Sequence, residues 1–326
     1  MSRESTFFTS YQKFQSCIRF YGYFHIAFIS FLCLQLLCFL LFFSYFSQSL
    51  VAAFSIALFF LTIFSYFVLL FFFQAKKPEQ LLLIRSEFID ACEKQTAFSA
   101  NSPEYLLTLS SALEEFSTFL GGQSFSFYTT SLSSKALAPL IEKFNIWLHW
   151  KNFHSMQEML LLESAKRLIS LIKQAPMDLE AHGNLAEIYM QLSKLYVHPK
   201  KLDLSFLWIS PDYFSSEMQE KFLFYSKKAI EEFKILESCS SSDAWIYAHL
   251  AEIYRLQERP EEEILQCEKL LEISAQNIEV LFRLGVLYFQ QGMNAKALKL
   301  YETLLQESPE KAAALIEHYD SFSDLP

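Results

Sequence analysis

"LAEIY" at Leu185–Tyr189, "LAEIY" again at Leu250–Tyr254 and "LGVLY" at Leu284–Tyr288 are three copies of one pentapeptide. The second and third copies lie 34 residues apart, and the match extends beyond them. Tyr247 aligns with Leu281, Ile264 with Leu298, Leu270 with Leu304 and Leu271 with Leu305. Apolar positions that recur at helical spacing across such a period describe a helix–turn–helix unit. One such pair cannot bury its apolar face alone, so the units are expected to stack into a solenoid. The first two copies are 65 residues apart, which is one period plus 31 residues. "AIEEFKIL" (Ala229–Leu236) lies 68 residues before "ALKLYETL" (Ala297–Leu304), which places the extra residues between Tyr189 and Ala229. The first unit therefore carries an insertion, at about 196–214, as a long loop between its helices.

Within each unit the first helix (A) carries a bulky apolar residue, then Leu followed by Gly or Ala, then Tyr. The second helix (B) carries a small residue, an aromatic four later, and a proline after its end. This pattern resembles the tetratricopeptide (TPR) repeat family over residues 179–309. The last unit matches throughout, with Leu281, Leu284, Gly285, Tyr288, Ala297, Tyr301 and Pro309. The first matches at Leu185, Ala186 and Tyr189, and again at Ala229 and Phe233. The middle one matches at Leu250, Ala251 and Tyr254 but has Glu263 for the small residue and Cys267 for the aromatic. Gly285 is expected where helices A and B of one repeat approach closely. Gly292 is expected in the turn between them, at positive φ. "EKAAALIEHY" after Pro309 reads as a capping helix, followed by a tail to residue 326.

The resemblance implies a concave groove lined by the A helices and occupied by a protein or peptide partner. In phase, the first repeat offers Asn184, Glu187 and Gln191 to that groove, and the second Trp245, His249, Glu252 and Arg255. The third offers Phe282, Arg283, Val286 and Phe289. The aromatic residues suit an apolar peptide or helix, and Arg255 and Arg283 suit a carboxylate. The Lys, Asn and Arg set of TPR domains that hold chaperone tails is not expected here, because Glu279 and Glu187 stand where Lys or Asn is wanted.

The other decisive segment is apolar. From Phe20 to Ala75 there is no Lys, Arg, Asp or Glu. Residues 24–46 and 50–73 each exceed the ~20 residues that a helix needs to cross a bilayer core, with "SQS" (Ser47–Ser49) as the turn between them. A cleaved signal peptide would be shorter, and a soluble core hairpin would show a polar face. Arg3, Lys13 and Arg19 precede the pair, Lys76 and Lys77 follow it, and the turn has no positive charge. Both ends are therefore expected on the cytoplasmic side, with residues 1–23 a cytosolic segment. The expected class is all-α: a transmembrane helical hairpin followed by a TPR-like α-solenoid. The paired apolar helices also resemble the bilobed segment of inclusion-membrane proteins of intracellular bacteria. The expected location is a bacterial inner membrane, or a vacuole or inclusion membrane on the second resemblance. A third possibility is an accessory subunit of a membrane complex, with Cys33, Gln35 and Cys38 at an interface.

Between the hairpin and the repeats, residues 78–175 read as helical. Pro78 is expected to start one helix, running to about Thr96. "SPE" at Ser102–Glu104 reads as a helix start, and Gly121-Gly122 as its stop. The Ser/Thr-rich stretch from 123 reads as a loop. Two more helices are expected at 135–151 and 155–174, the second in phase with a degenerate repeat and ended by Pro176.

Of the net −9, residues before Lys76 contribute +2 and the remainder −11. An acidic region of this kind has no nucleic-acid footprint. The six cysteines form no CxxC pair and read as reduced thiols. There is no P-loop, GxGxxG, HExxH or GxSxG. His149 and His154, five residues apart, do not align as ligands on one helical face. Glu261–Glu263 read as a solvated helix start. No enzyme activity, cofactor or metal is expected.

Overall fold

The computed structural model describes residues 3–41, 50–96, 98–99, 102–122, 138–198 and 215–323. Among these residues all regular structure is α-helical, with no strand. The helices are α1 (Arg3–Leu41), α2 (Leu50–Glu93), α3 (Pro103–Gly121), α4 (Ala138–Gln174), α5 (Leu179–Tyr196), α6 (Ser216–Cys239), α7 (Ala244–Leu256), α8 (Pro260–Ile273), α9 (Ile278–Gln290), α10 (Asn294–Glu307) and α11 (Pro309–Ser323). The expected turn at Ser47–Ser49, the loop beginning at 123 and most of the insertion lie outside the described residues. One unit comprises α1–α3 and α4 as far as Arg167; a second begins at Leu168.

In the first unit α1 and α2 form a long antiparallel hairpin. At ~1.5 Å per residue their 39 and 44 residues extend well beyond a ~30 Å bilayer core. Each helix is exposed in its apolar part and buried outside it. Phe54, Phe60 and Phe64 are each about two-thirds exposed, whereas Phe14, Ile18 and Phe88 are fully buried. The buried ends meet α3 and α4 in a four-helix bundle. Phe88 stacks on Phe116 with ring centroids 4.6 Å apart, and Phe14 meets Phe153 edge-on at 4.9 Å. The Ser110 and Ser164 hydroxyls share a hydrogen bond of 2.6 Å in the core. From Arg3 the chain is already helical and continuous with the apolar part of α1, and Thr6, Phe14 and Ile18 are buried.

The helix start expected at Pro78 does not occur, since α2 runs through it. A proline there removes one backbone hydrogen bond and crowds the preceding turn, at a cost of ~3 kcal/mol or more. Contacts with α1 on both sides hold the helix together. Phe73 packs on Tyr21 at 5.7 Å, and the Tyr21 hydroxyl donates to Gln80 Oε1 at 2.7 Å. Likewise the helices expected at 135–151 and 155–174 are one helix. The residues between them contain no glycine or proline, and Asn152, Phe153 and His154 are all buried. For α3 the reading holds: Ser102 Oγ accepts from the Tyr105 amide at 3.2 Å, and the helix ends at Gly121.

In the second unit α5–α6, α7–α8 and α9–α10 are three helical hairpins. Their A helices begin on Asp178, Asp243 and Asn277, whose side chains accept from the backbone of the first turn. Their B helices end alike: the amides of Ser240, Ser274 and Ser308 each bond the carbonyl four residues back, on Leu236, Leu270 and Leu304. Ala175 bonds Leu171 in the same way at the end of α4, so the period begins before α5. The A-to-B turns of the second and third repeats are Schellman caps. Met293 N–H donates to Tyr288 O at 2.8 Å, and Arg259 N–H to Tyr254 O at 3.0 Å. The left-handed residue of each cap is Gly292 (φ 71°) and, one period earlier, Glu258 (φ 59°). The insertion is partly helical: α5 and α6 have 18 and 24 residues, against 13 and 14 in the later pairs.

Gly285 departs from its expected reason. A Cβ placed there would lie 2.7 Å from Leu315 Cδ2, on α11 and not on helix B of its own repeat. Neighbouring residues of one helix serve opposite sides: Leu250 packs with the first repeat, and Ala251 with the third. His182 ties the first repeat together, with Nδ1 2.6 Å from Glu232 Oε2 and Nε2 3.1 Å from the Pro176 carbonyl.

The left-handed caps and the His182 contacts each lead to a measurable outcome. Gly292→Ala is expected to cost about 1 kcal/mol, because an L side chain must enter the left-handed region. Glu258→Gly should shift stability in the opposite direction. Thermal unfolding of the full chain in detergent reads both signs. Burial alone would lower the His182 pKa, but the bonds to Glu232 and Pro176 reverse this and raise it. The protonated ring therefore adds stability that is complete below the unfolded value of about 6.5 and is lost as pH rises through the folded value. The melting-temperature gap between the wild type and His182→Gln should shrink as the buffer is taken from pH 6 to pH 9.

Candidate peptide-binding groove

The A helices α5, α7 and α9 present one face, but its three sections differ. At the first and second repeats the face is polar and accessible. Asn184, Glu187 and Gln191 are half-buried along α5. Farther along the same helix Lys194 Nζ, which the sequence reading did not include, reaches across to Glu252 Oε1 of α7 at 2.8 Å. Arg255 lies 3.9 Å from the same carboxylate and is exposed. Trp245 stacks edge-on with His249 at 4.7 Å, and both rest on Phe233 of α6. Burial lowers the His249 pKa, while the Glu187 and Glu252 carboxylates oppose the shift. The imidazole is therefore a neutral member of this shelf at physiological pH.

Between the second and third repeats lies a cleft of about 390 Å³. Ala248, Glu252 and Arg255 line it from α7, Glu263 and Cys267 from α8, and Glu279, Phe282 and Arg283 from α9. Its floor is the ion pair of Arg283 with Glu263, bidentate at 2.7 and 3.0 Å. Glu263 is 3% exposed, so it is not part of a solvated helix start. The departure from a small residue at this position has a structural use: the longer side chain reaches across to the next helix A. Arg283, expected to be available for a partner's carboxylate, already holds one. The thiol of Cys267, beside the pair, is pushed up to about 12 by burial and by the Glu263 carboxylate.

At the third repeat the groove is covered. Val286 and Phe289 are 5% and 4% exposed, Phe289 lies against Tyr319 at 5.0 Å, and Phe282 tilts toward His318 at 6.1 Å. Lys311, also on α11, pairs with Glu279 and sits over the Phe282 ring at 5.9 Å. The aromatic surface expected here is therefore the seat of α11. Its glycine gave the sequence-level signal, since Gly285 lies beside these residues and admits Leu315.

Residues 278–311, which span α9, α10 and the start of α11, match the tetratricopeptide repeat family model. The chain carries a tetratricopeptide repeat. Among solved structures, TTC0263, a thermophilic TPR protein in Thermus thermophilus, is 19% identical over 58% of this chain and 98% of its own, with a TM-score of 0.30. The assembly chaperone of RpL4, Acl4, is 13% identical over 76% and 91%, with a TM-score of 0.30. Yeast Tom70 is 11% identical over 77% and 60%, with a TM-score of 0.24. No curated protein matches the chain. The TPR assignment agrees with the signature residues at Leu284, Gly285, Tyr288, Ala297, Tyr301 and Pro309, and the last of these starts α11.

The ion pair yields a direct test. Arg283→Ala should destabilise the chain by about 2–3 kcal/mol, less than the ~3–5 kcal/mol for breaking a fully buried pair because the guanidinium stays partly hydrated. Glu263→Ala in the same chain should recover part of the loss. Chemical denaturation of the single and double variants measures the coupling.

Proposed function

We propose that this chain is a membrane-anchored TPR scaffold that holds a protein or peptide partner on the cytosolic face, without catalysis of its own. The observation that carries the reading is the switch of exposure along α1 and α2. Large apolar residues are buried where the helices meet α3 and α4, and most are exposed from Ile26 to Leu41 and from Leu50 to Phe72. Burying such a surface in a bilayer removes it from water, and exposed apolar patches of this size mark an interaction surface. One polar pair links the two apolar helices, as polar groups in lipid favour: Gln35 Nε2 donates to Thr62 Oγ1 at 3.0 Å, and Thr62 donates to the Leu58 carbonyl. Lys76 and Lys77 at one end, with Arg19 beside them, favour a cytoplasmic position for the repeats.

In this reading the partner occupies the open part of the groove: Asn184, Glu187 and Gln191, the Trp245–His249 shelf, Glu252 and Arg255. Its chemistry suits a short helix or extended peptide with one apolar anchor for Trp245 and a basic residue for the Glu187 and Glu252 side. The third-repeat residues Phe282, Arg283, Val286 and Phe289 act in packing.

Affinity capture with the full chain in detergent tests the proposal, comparing the wild type with Trp245→Ala plus Glu187→Gln and with Lys299→Gln. Partner recovery should fall at least fivefold for the first variant and stay level for the second. Equal recovery from both would remove the groove from the account. Accessibility of the repeats to protease only from the side opposite the cytosol would overturn the orientation.

A further inference from the structure

We propose that the outer side of α10 is a docking surface for a second copy of this chain, packed through Leu298 and Leu305 and registered by Lys299 and Glu302. The period of the array shows what this side lacks. Ile264 and Leu271 on α8 stand one period before Leu298 and Leu305. Ile264 is 6% exposed and belongs to the core shared with the third hairpin, and Leu271 packs against that core. Their counterparts on α10 are 47% and 50% exposed. α11 takes the place of a following helix A, and its Ala312 and Leu315 share a core with Ala297 and Leu304 of α10. No helix B follows it among the described residues.

Ion pairs trace the missing contact. From each earlier helix B a carboxylate reaches a lysine on the next. Lys269 Nζ of α8 donates to Glu237 Oε1 of α6 at 2.6 Å, and Lys296 Nζ of α10 to Glu268 Oε1 of α8 at 3.1 Å. One period after Glu268 stands Glu302, exposed on α10 between the two leucines. The end of the array thus offers an apolar pair and a carboxylate, which suits a helix bearing an apolar pair and a lysine. α10 is itself such a helix. Leu298, Glu302 and Leu305 stand at i, i+4 and i+7 on one face, with exposed Lys299 on the flank next to Glu302. Two copies of α10 crossing antiparallel about a two-fold axis place Leu298 over Leu305 of the second copy. The same crossing sets Lys299 beside Glu302 of the second copy, and both contacts occur twice. Such an isologous contact closes on itself, so it gives a dimer and not a filament.

Light scattering of the full chain in a neutral detergent, followed across a dilution series, tests the surface. The wild type should be a dimer that dissociates on dilution. Leu298→Asn with Leu305→Asn should raise the dissociation constant about tenfold or more, because four leucines lose apolar burial. The melting temperature of the diluted monomer should stay level, since both side chains are half-exposed in the single chain. Lys299→Glu and Glu302→Lys should each weaken self-association about fivefold by setting like charges together. A mixture of these two variants should form a heterodimer as tight as the wild-type dimer, because each copy then supplies the charge that the other lacks. A wild type that stays monomeric at every concentration, the result expected of a surface built for a different protein, would overturn the proposal. So would a dimer that ignores the leucine changes, or a mixture of the charge variants that associates no better than either alone.

Discussion

The distance between one helix A and the next is set by the residue that follows the second leucine of the signature. It is Ala186, Ala251 or Gly285, and each is buried. A larger side chain there would push the next helix outward, and at Gly285 even a methyl group would meet Leu315. Because that face is small and apolar, no hairpin in the row is complete without its successor. Leu250 and Ala251 show the consequence, since adjacent residues of α7 belong to two different cores. Stability in such an array is a sum of neighbour contacts, so the final hairpin needs a cover. α11 supplies it, with Ala312 and Leu315 fully buried.

The same cover limits where the proposed recognition could occur. Seating α11 takes Val286 and Phe289 out of the groove and pairs Glu279 with Lys311. The Glu263–Arg283 pair then fixes the next layer, linking α8 to α9. What stays adaptable is the face of α5 and α7, where Glu252 is shared between Lys194 and Arg255. A carboxylate whose two partners are partly solvated is more easily recruited by a third cation than one held bidentate in the core. A variant such as Arg283→Ala would therefore confuse a loss of fold with a loss of binding.

The solenoid was legible in the sequence because its contacts are periodic. Leu, Gly or Ala, and Tyr recur at 34 residues, and Gly292 marks a turn whose positive φ follows from chain geometry. The groove was legible only in outline. Phase alone puts Val286 and Phe289 on the A-helix face, yet cannot say that α11 lies over them. The role of Glu263 was hidden because its partner is 20 residues away on another helix; the one trace was a charged residue in a slot that otherwise takes a small one. Helix ends were misread for a related reason. Pro78 breaks a helix on local grounds, but contacts from α1, about 60 residues away, outweigh it.

That continuity has a mechanical consequence. A break at Pro78 would leave the bundle joined to the apolar hairpin by a pivot. As it is, α1 and α2 each pass from the exposed apolar zone into the bundle as one helix, clamped by Tyr21, Phe73 and Gln80 across the boundary. In the proposed anchored state, the depth and tilt of the hairpin would then set the depth and tilt of the four-helix bundle. Bending at this point would separate the Tyr21–Phe73 contact and strand the Gln80 amide.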